Sequence, residues 1–151
     1  MTLRILAVGK KHESWVAEGI GRYEKRLRKP WQVQWQLLPH SAHQEEQART
    51  EESTRILGKL QDAEFVVLLD ERGKMLSSPK LAQTLEQQLQ RRNATVIIGG
   101  AYGVDERVRQ RADLVWSLSD LVFPHQLVRL ILVEQIYRAG EIAAGRPYHH
   151  V

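Results

Sequence analysis

Phe65-Val66-Val67-Leu68-Leu69, followed by the polar stretch Asp70-Glu71-Arg72-Gly73-Lys74, is the run on which the fold turns. A strand with one wet face alternates apolar and polar residues. An unbroken apolar run is instead expected of a parallel strand covered by helices on both sides. Thr95-Val96-Ile97-Ile98 repeats the pattern and stops at Gly99-Gly100, and Leu3 to Val8 is a third such run, stopped by Gly9. Helical periodicity fills the intervals between them. The alternation predicts an α/β fold, a mostly parallel sheet flanked by helices, in a single domain over 1–151.

Working outward from Phe65, the polar stretch Asp70 to Lys74 reads as the loop leaving the strand, and Pro79 opens a helix with Leu81, Leu85 and Leu89 in register. Upstream, a polar helix is expected over roughly Gln44 to Leu60, with Ala48, Ile56 and Leu60 facing inward. Gln32 to Leu38 alternates glutamine with Val33, Trp35 and Leu37, as a strand near a sheet edge would. Ser14 reads as the N-cap of a first helix carrying Val16, Ile20, Tyr23 and Leu27, ended by Pro30. Downstream, a short helix over Glu106 to Ala112 and a strand over Leu114 to Leu118 complete the alternation.

The last helix, about Pro124 to Ala144, has a different composition. From Leu127 to Tyr137 it is apolar almost all round, where a surface helix needs only one apolar stripe. It should be covered on two sides, by the sheet and by either a second copy of the chain or another part of the same one.

Composition narrows the functional classes. The chain has no cysteine, which removes disulfides and thiolate chemistry and fits a reducing compartment. No apolar run is long enough to span a membrane, and the N-terminal run is too brief for a signal-peptide core, so a cytoplasmic protein is expected. The formal charge of +4 is unevenly placed: residues 1–30 hold eight basic and three acidic side chains, the remainder 14 and 15. That surplus suits a polyanion docking on the first helix, through Arg22, Lys25 and Arg26, and equally suits a solvated helix face.

Open parallel sheets bind ligands beyond the carboxyl ends of their strands, which nominates the loops after Leu69, Ile98 and Leu118. Gly99-Gly100-Ala101-Tyr102-Gly103 is neither a dinucleotide fingerprint, since Ala101 stands where the second glycine should, nor a phosphate loop. It still permits close backbone approach to a flat ligand. No metal site is expected: His149 and His150 are adjacent rather than one turn apart, and His40 and His43 flank a loop. Ser117 and Ser119 lack any evident activating base. The tail Arg146-Pro147-Tyr148-His149-His150-Val151 ends in groups that could hold or take a proton, although most tails are inert.

Taken together, several runs resemble one family: Ile5 to Lys10, Tyr23 to Leu27, Gly73-Lys74-Met75-Leu76-Ser77-Ser78, Ile97 to Gly103, Trp116 to Ser119, Phe123 to Arg129, Glu134 to Ala139 and Pro147-Tyr148-His149. In this order, and nearly end to end, they resemble the RlmH family of the SPOUT superfamily, bacterial pseudouridine N3-methyltransferases of large-subunit rRNA. The resemblance implies a SPOUT-type fold with a C-terminal deep trefoil knot, an exception to the rule that chains do not thread loops. It further implies a homodimer, S-adenosylmethionine as cofactor, and 23S rRNA within the ribosome as partner. Carried over by motif, the cofactor would touch Leu69, Gly99 and the loop Leu118-Ser119-Asp120-Leu121-Val122-Phe123. The catalytic expectation falls on His149 as proton acceptor, Tyr148 as its positioning partner and Arg138 as the charge facing the developing anion. Arg138 could equally just pair with Glu134 one turn earlier. Family members commonly carry a basic residue after the Tyr-His pair. Here His150 and Val151 follow, which weakens the expected grip on RNA rather than the chemistry. A SPOUT methyltransferase acting on tRNA, or a non-catalytic RNA-binding dimer of the same fold, are the other readings of this sequence.

Overall fold

A computed structural model describes residues 1–150; Val151, part of the departure at the tail, lies outside the described residues. The strands are β1 (Leu3–Val8), β2 (Val33–Leu38), β3 (Phe65–Met75), β4 (Ala94–Ile98) and β5 (Leu114–Ser117). They form one sheet in the order β2-β1-β4-β3-β5, with every neighbouring pair parallel. The helices are α1 (Ser14–Glu24), α2 (Glu45–Leu57), α3 (Ser78–Leu89), α4 (Glu106–Arg111) and α5 (His125–Ala143).

The unbroken apolar runs are explained by the two cores. Phe65 and Val67 of β3, with Ile5 and Ala7 of β1, pack on one face against Val16 and Ile20 of α1, Leu81 and Leu85 of α3, and Leu132, Val133 and Ile136 of α5. Val66 and Leu68, with Leu6 and Val8, point the other way against Ile56 of α2 and Val108 of α4. Side chains alternate between faces, so a strand covered on both needs an apolar residue at each position. The glutamine-interleaved β2 lies at an edge, as its alternation predicts.

Three local expectations are corrected. Ser14 is the first residue of α1 rather than its cap; Glu13 holds the cap position and makes no side-chain cap bond, and α1 ends at Glu24, well before Pro30. The polar stretch after Leu69 is not a loop: β3 continues to Met75, with a register shift against β5 between Leu69 and Lys74. Gly73 makes this continuation possible, because a Cβ there would lie 2.7 Å from the Val115 carbonyl carbon. Finally, Arg4 does not add to an exposed basic surface. Its guanidinium donates to Thr95, Gln36, the Lys59 carbonyl and the nearly buried Glu64 carboxylate, which also takes the Thr95 hydroxyl.

Candidate active site

The middle of β3, where its register against β5 shifts, and the carboxyl ends of β4 and β5 open into a cavity of about 1000 Å³, whose lining includes Leu69, Ile98, Gly99, Leu118, Ser119, Leu121, Val122 and Phe123. The three segments nominated from the sequence meet there, the first of them as strand rather than loop. Of the residues carried over for the cofactor, seven line the cavity; Asp120 is exposed and is not among its lining residues. Val104, Arg109, Trp116 and Val128 lie outside the nominated segments and line the cavity as well. Asp70 is fixed by Arg109 on one side, at 3.1 Å, and by Arg72 on the other, so this carboxylate stands already paired at the wall.

The glycines at the end of β4 are closely packed. A Cβ on Gly100 would lie 2.5 Å from Glu52 Oε1 and one on Gly99 3.0 Å from Val104 Cγ1. The Gly100 carbonyl accepts the Gly103 amide at 3.0 Å, closing a tight turn. On the other side, Nε2 of His125, the first residue of α5, donates to the Gly99 carbonyl at 2.8 Å. Burial, and then the charge of Arg129, hold His125 below the usual histidine pKa, so the ring is neutral at neutral pH.

The walls mix apolar and charged surface. Leu69, Ile98, Leu118, Val128 and Phe123 supply the apolar part and Arg49, Asp70, Arg72 and Arg109 the charged part, while glycine backbone lets a ligand approach main-chain amides and carbonyls. Trp116 adds a buried indole N–H without a protein partner. Among the described residues no group of three or more His, Cys, Asp and Glu gathers as a metal would need, and no helix is long and apolar enough to cross a membrane.

The tail forms a second, separate cluster. Glu134 of α5 is its hub: the Tyr148 hydroxyl donates to Oε2 at 2.9 Å, Arg138 donates through NH2 at 2.9 Å, and Gln135 donates to Oε1 at 2.8 Å. The guanidinium of Arg138 lies 4.8 Å from the Tyr148 ring centroid and donates from NH1 to His149 Nδ1 at 3.0 Å. Tyr148 also meets Tyr137 edge-on, and Tyr137 leans on Tyr23 of α1. Burial and the bond to Glu134 raise the Tyr148 pKa, so the phenol stays protonated. The same carboxylate raises that of Arg138. Arg138, Tyr148 and His149 are thus brought together, and Arg138 does pair with Glu134. None of the three lines the strand-end cavity. Glu134 as hub was not read from sequence. Its only signal was the i, i+4 spacing to Arg138.

Between the clusters lies an apolar groove of about 500 Å³ along α1 and α5, lined by Trp15, Gly19, Tyr23, Leu127, Leu130, Ile131 and, at its edge, Glu134. Here the apolar girth of α5 resolves into two faces. Leu132, Val133 and Ile136 are buried on the sheet, while Leu127, Leu130 and Ile131 remain only half covered, partly by the chain's own α1. Arg22 lines the same groove, paired with Glu18, whereas Lys25 and Arg26 are exposed beyond the helix end.

Strand-end cavity, parallel sheet and glycine turn make an α/β ligand site, and the family model described as "Predicted SPOUT methyltransferase" matches residues 1–149. Proteins named ribosomal RNA large subunit methyltransferase H are similar throughout. That of Acetivibrio thermocellus is 40% identical, covering 99% of each chain. That of Synechococcus sp. is 45% identical, covering 97% of this chain and 93% of the relative. The chain belongs to the SPOUT methyltransferases and, among them, to the RlmH family.

Proposed function

We propose that this protein transfers a methyl group from S-adenosylmethionine to N3 of a pseudouridine in 23S rRNA of the assembled ribosome, as a homodimer in which each copy completes the other's site. The observation that carries the reading is the strand-end cavity of about 1000 Å³, glycine-backed, with apolar and charged walls. It occurs in a chain about 40% identical, end to end, to proteins named for methylating large-subunit ribosomal RNA.

Leu69, Gly99, Leu118, Ser119, Leu121, Val122 and Phe123 would hold the cofactor, which supplies an electrophilic methyl on a sulfonium. Asp120, exposed at the loop tip, would contribute through backbone alone. The remaining work is proton removal and charge stabilisation. N3 of a pseudouridine is an imide nitrogen, and its proton must leave before the nitrogen attacks. In the resting chain His149 accepts from Arg138 at Nδ1, which puts the ring proton of the neutral form on Nε2. For His149 to take the N3 proton, Arg138 must release Nδ1 and turn its N–H toward the substrate carbonyl. Stabilising the developing anion asks the same movement of it. Tyr148, protonated and tied to Glu134, keeps the pair in place.

The site is shared because its halves are apart within one chain: no tail residue lines the cavity, while Glu134 ties the tail to the edge of the α1–α5 groove. That groove is the face we assign to the second copy. The C-terminal segment is read as the trefoil knot. Supporting this, α4 packs on one face of the sheet and α5 on the opposite one, and the chain between them passes the strand ends through residues 118–124. RNA docking falls to Lys25 and Arg26, with Arg22 contributing from the rim of the dimer face.

The test has two parts. Calorimetry should show S-adenosylmethionine uptake by the purified protein, and Gly99→Val should abolish it while leaving a folded dimer. Mass analysis of RNA from a strain lacking the gene should then show one large-subunit methyl group missing and restored on complementation. A missing tRNA methyl group, or none at all, would overturn the assignment.

A further inference from the structure

Arg129 is the most deeply buried large polar side chain of the protein, with no exposure at all. It sits in α5 one turn after His125, so the two project from the same side of the helix toward the ends of β1 and β4. Its NH1 donates to the Lys10 carbonyl at 2.8 Å and lies 3.2 Å from His12 Nδ1, while Nε and NH2 find no protein partner. Among the described residues no carboxylate pairs with it. Burying a guanidinium on neutral partners is costly, and a well-packed apolar residue in such a place is commonly neutral or stabilising. Stability therefore does not account for an arginine there.

Position does. Lys10 follows the end of β1, and Gly99 follows the end of β4, the strand beside it. The first turns of α5 thus grip two adjacent strand ends through their carbonyls: Lys10 by Arg129 and Gly99 by His125. The peptide is planar and trans, so holding the Gly99 carbonyl also sets the direction of the Gly100 amide N–H. We infer that His125 and Arg129 are positioning residues for the glycine turn of the cofactor cavity, a brace behind its wall that does not touch the ligand. The inference rests on S-adenosylmethionine as the ligand of that cavity. His125 must carry its proton on Nε2, since a carbonyl can only accept. Arg129 faces His12 and His125, and Glu52 and His40 also act on the His125 ring.

Two measurements test the brace. In the ligand-free protein, nitrogen chemical shifts should report His125 as the neutral Nε2–H tautomer, and Arg129→Met should broaden or shift that signal while the thermal midpoint holds or rises. In calorimetry with S-adenosylmethionine, His125→Phe and His125→Asn, the second polar but too short to reach, should each weaken binding about tenfold, the scale of one lost hydrogen bond in a buried site. Activity at saturating cofactor should remain close to wild type, so that KM rises and kcat does not fall. His125→Gln, which can present an amide N–H at similar reach, should recover most of the affinity. Wild-type protein that takes up no S-adenosylmethionine would overturn the ligand reading and this inference with it. Wild-type uptake with unchanged affinity in both His125→Phe and His125→Asn would overturn the brace alone.

Discussion

The strand-end cavity and the tail cluster are built on opposite principles. The cavity rests on backbone: closely packed glycines and a turn closed by a main-chain bond, between walls that mix apolar side chains with charged ones such as Asp70 and Arg109. The tail cluster is made of side chains, with Tyr148, Arg138 and Gln135 all gathered on the single carboxylate of Glu134. One suits holding a molecule, the other moving a proton. They share no lining residue in one chain, and the half-covered groove beside Glu134 is the face the proposal gives to a second copy.

The sharpest way to break this contrast is to delete the tail. A chain truncated after Pro147 should fold, dimerise and bind S-adenosylmethionine as before, yet lose activity by roughly 10²- to 10⁴-fold, the usual scale for a positioned acid–base group. Loss of cofactor binding in single-turnover and calorimetric assays would mean the two regions are not independent. Next comes the groove. Ile131→Glu puts a charge on its apolar floor and should yield a 17.4 kDa monomer by light scattering with little residual activity. An active monomer would show that the tail serves its own cavity.

Reversing the charge of Lys25 and Arg26 should weaken ribosome binding several-fold and flatten its salt dependence by about two counterions, leaving cofactor affinity alone. Reversing Arg22 should disturb the dimer instead, because that side chain lines the groove. The smallest effect concerns pH. His125 and His12 have folded-state pKa values lowered from 6.5 by burial first and by Arg129 second. Between those values and 6.5 the unfolded chain binds more protons, so stability is full above about pH 6.5 and falls as pH drops through that window. His125→Gln should make the thermal midpoint less sensitive to pH below 6.5.

Much of the cavity was legible because it depends on local pattern. Uninterrupted apolar runs announce strands covered on both faces, and the loops at their ends are then the place to look. Long-range choices were not legible. The residues after Leu69 look like a loop, yet the close passage Gly73 allows against Val115 keeps them in the sheet. Arg4 counts as surface charge until Glu64 and Thr95, distant in sequence, are seen to surround it. Glu134 looks like one half of a helix-surface ion pair, and only the returning tail makes it a hub. Ser14 shows the limit of cap rules, since the helix begins one residue earlier than the serine could cap.

The shared site itself is tested by mixing two inactive proteins. One carries Gly99→Val, with a Cβ pressed against Val104 and an intact tail; the other ends at Pro147, with an intact cavity and no tail. Co-refolded, they should form mixed dimers in which the truncated chain's cavity receives the other chain's Tyr148 and His149. Random pairing makes about half the dimers mixed, each with one complete site of two, so methylation should return to roughly a quarter of the wild-type rate. Activity that stays at zero, in a mixture shown by mass spectrometry to contain the mixed dimer, would contradict a site built from two copies.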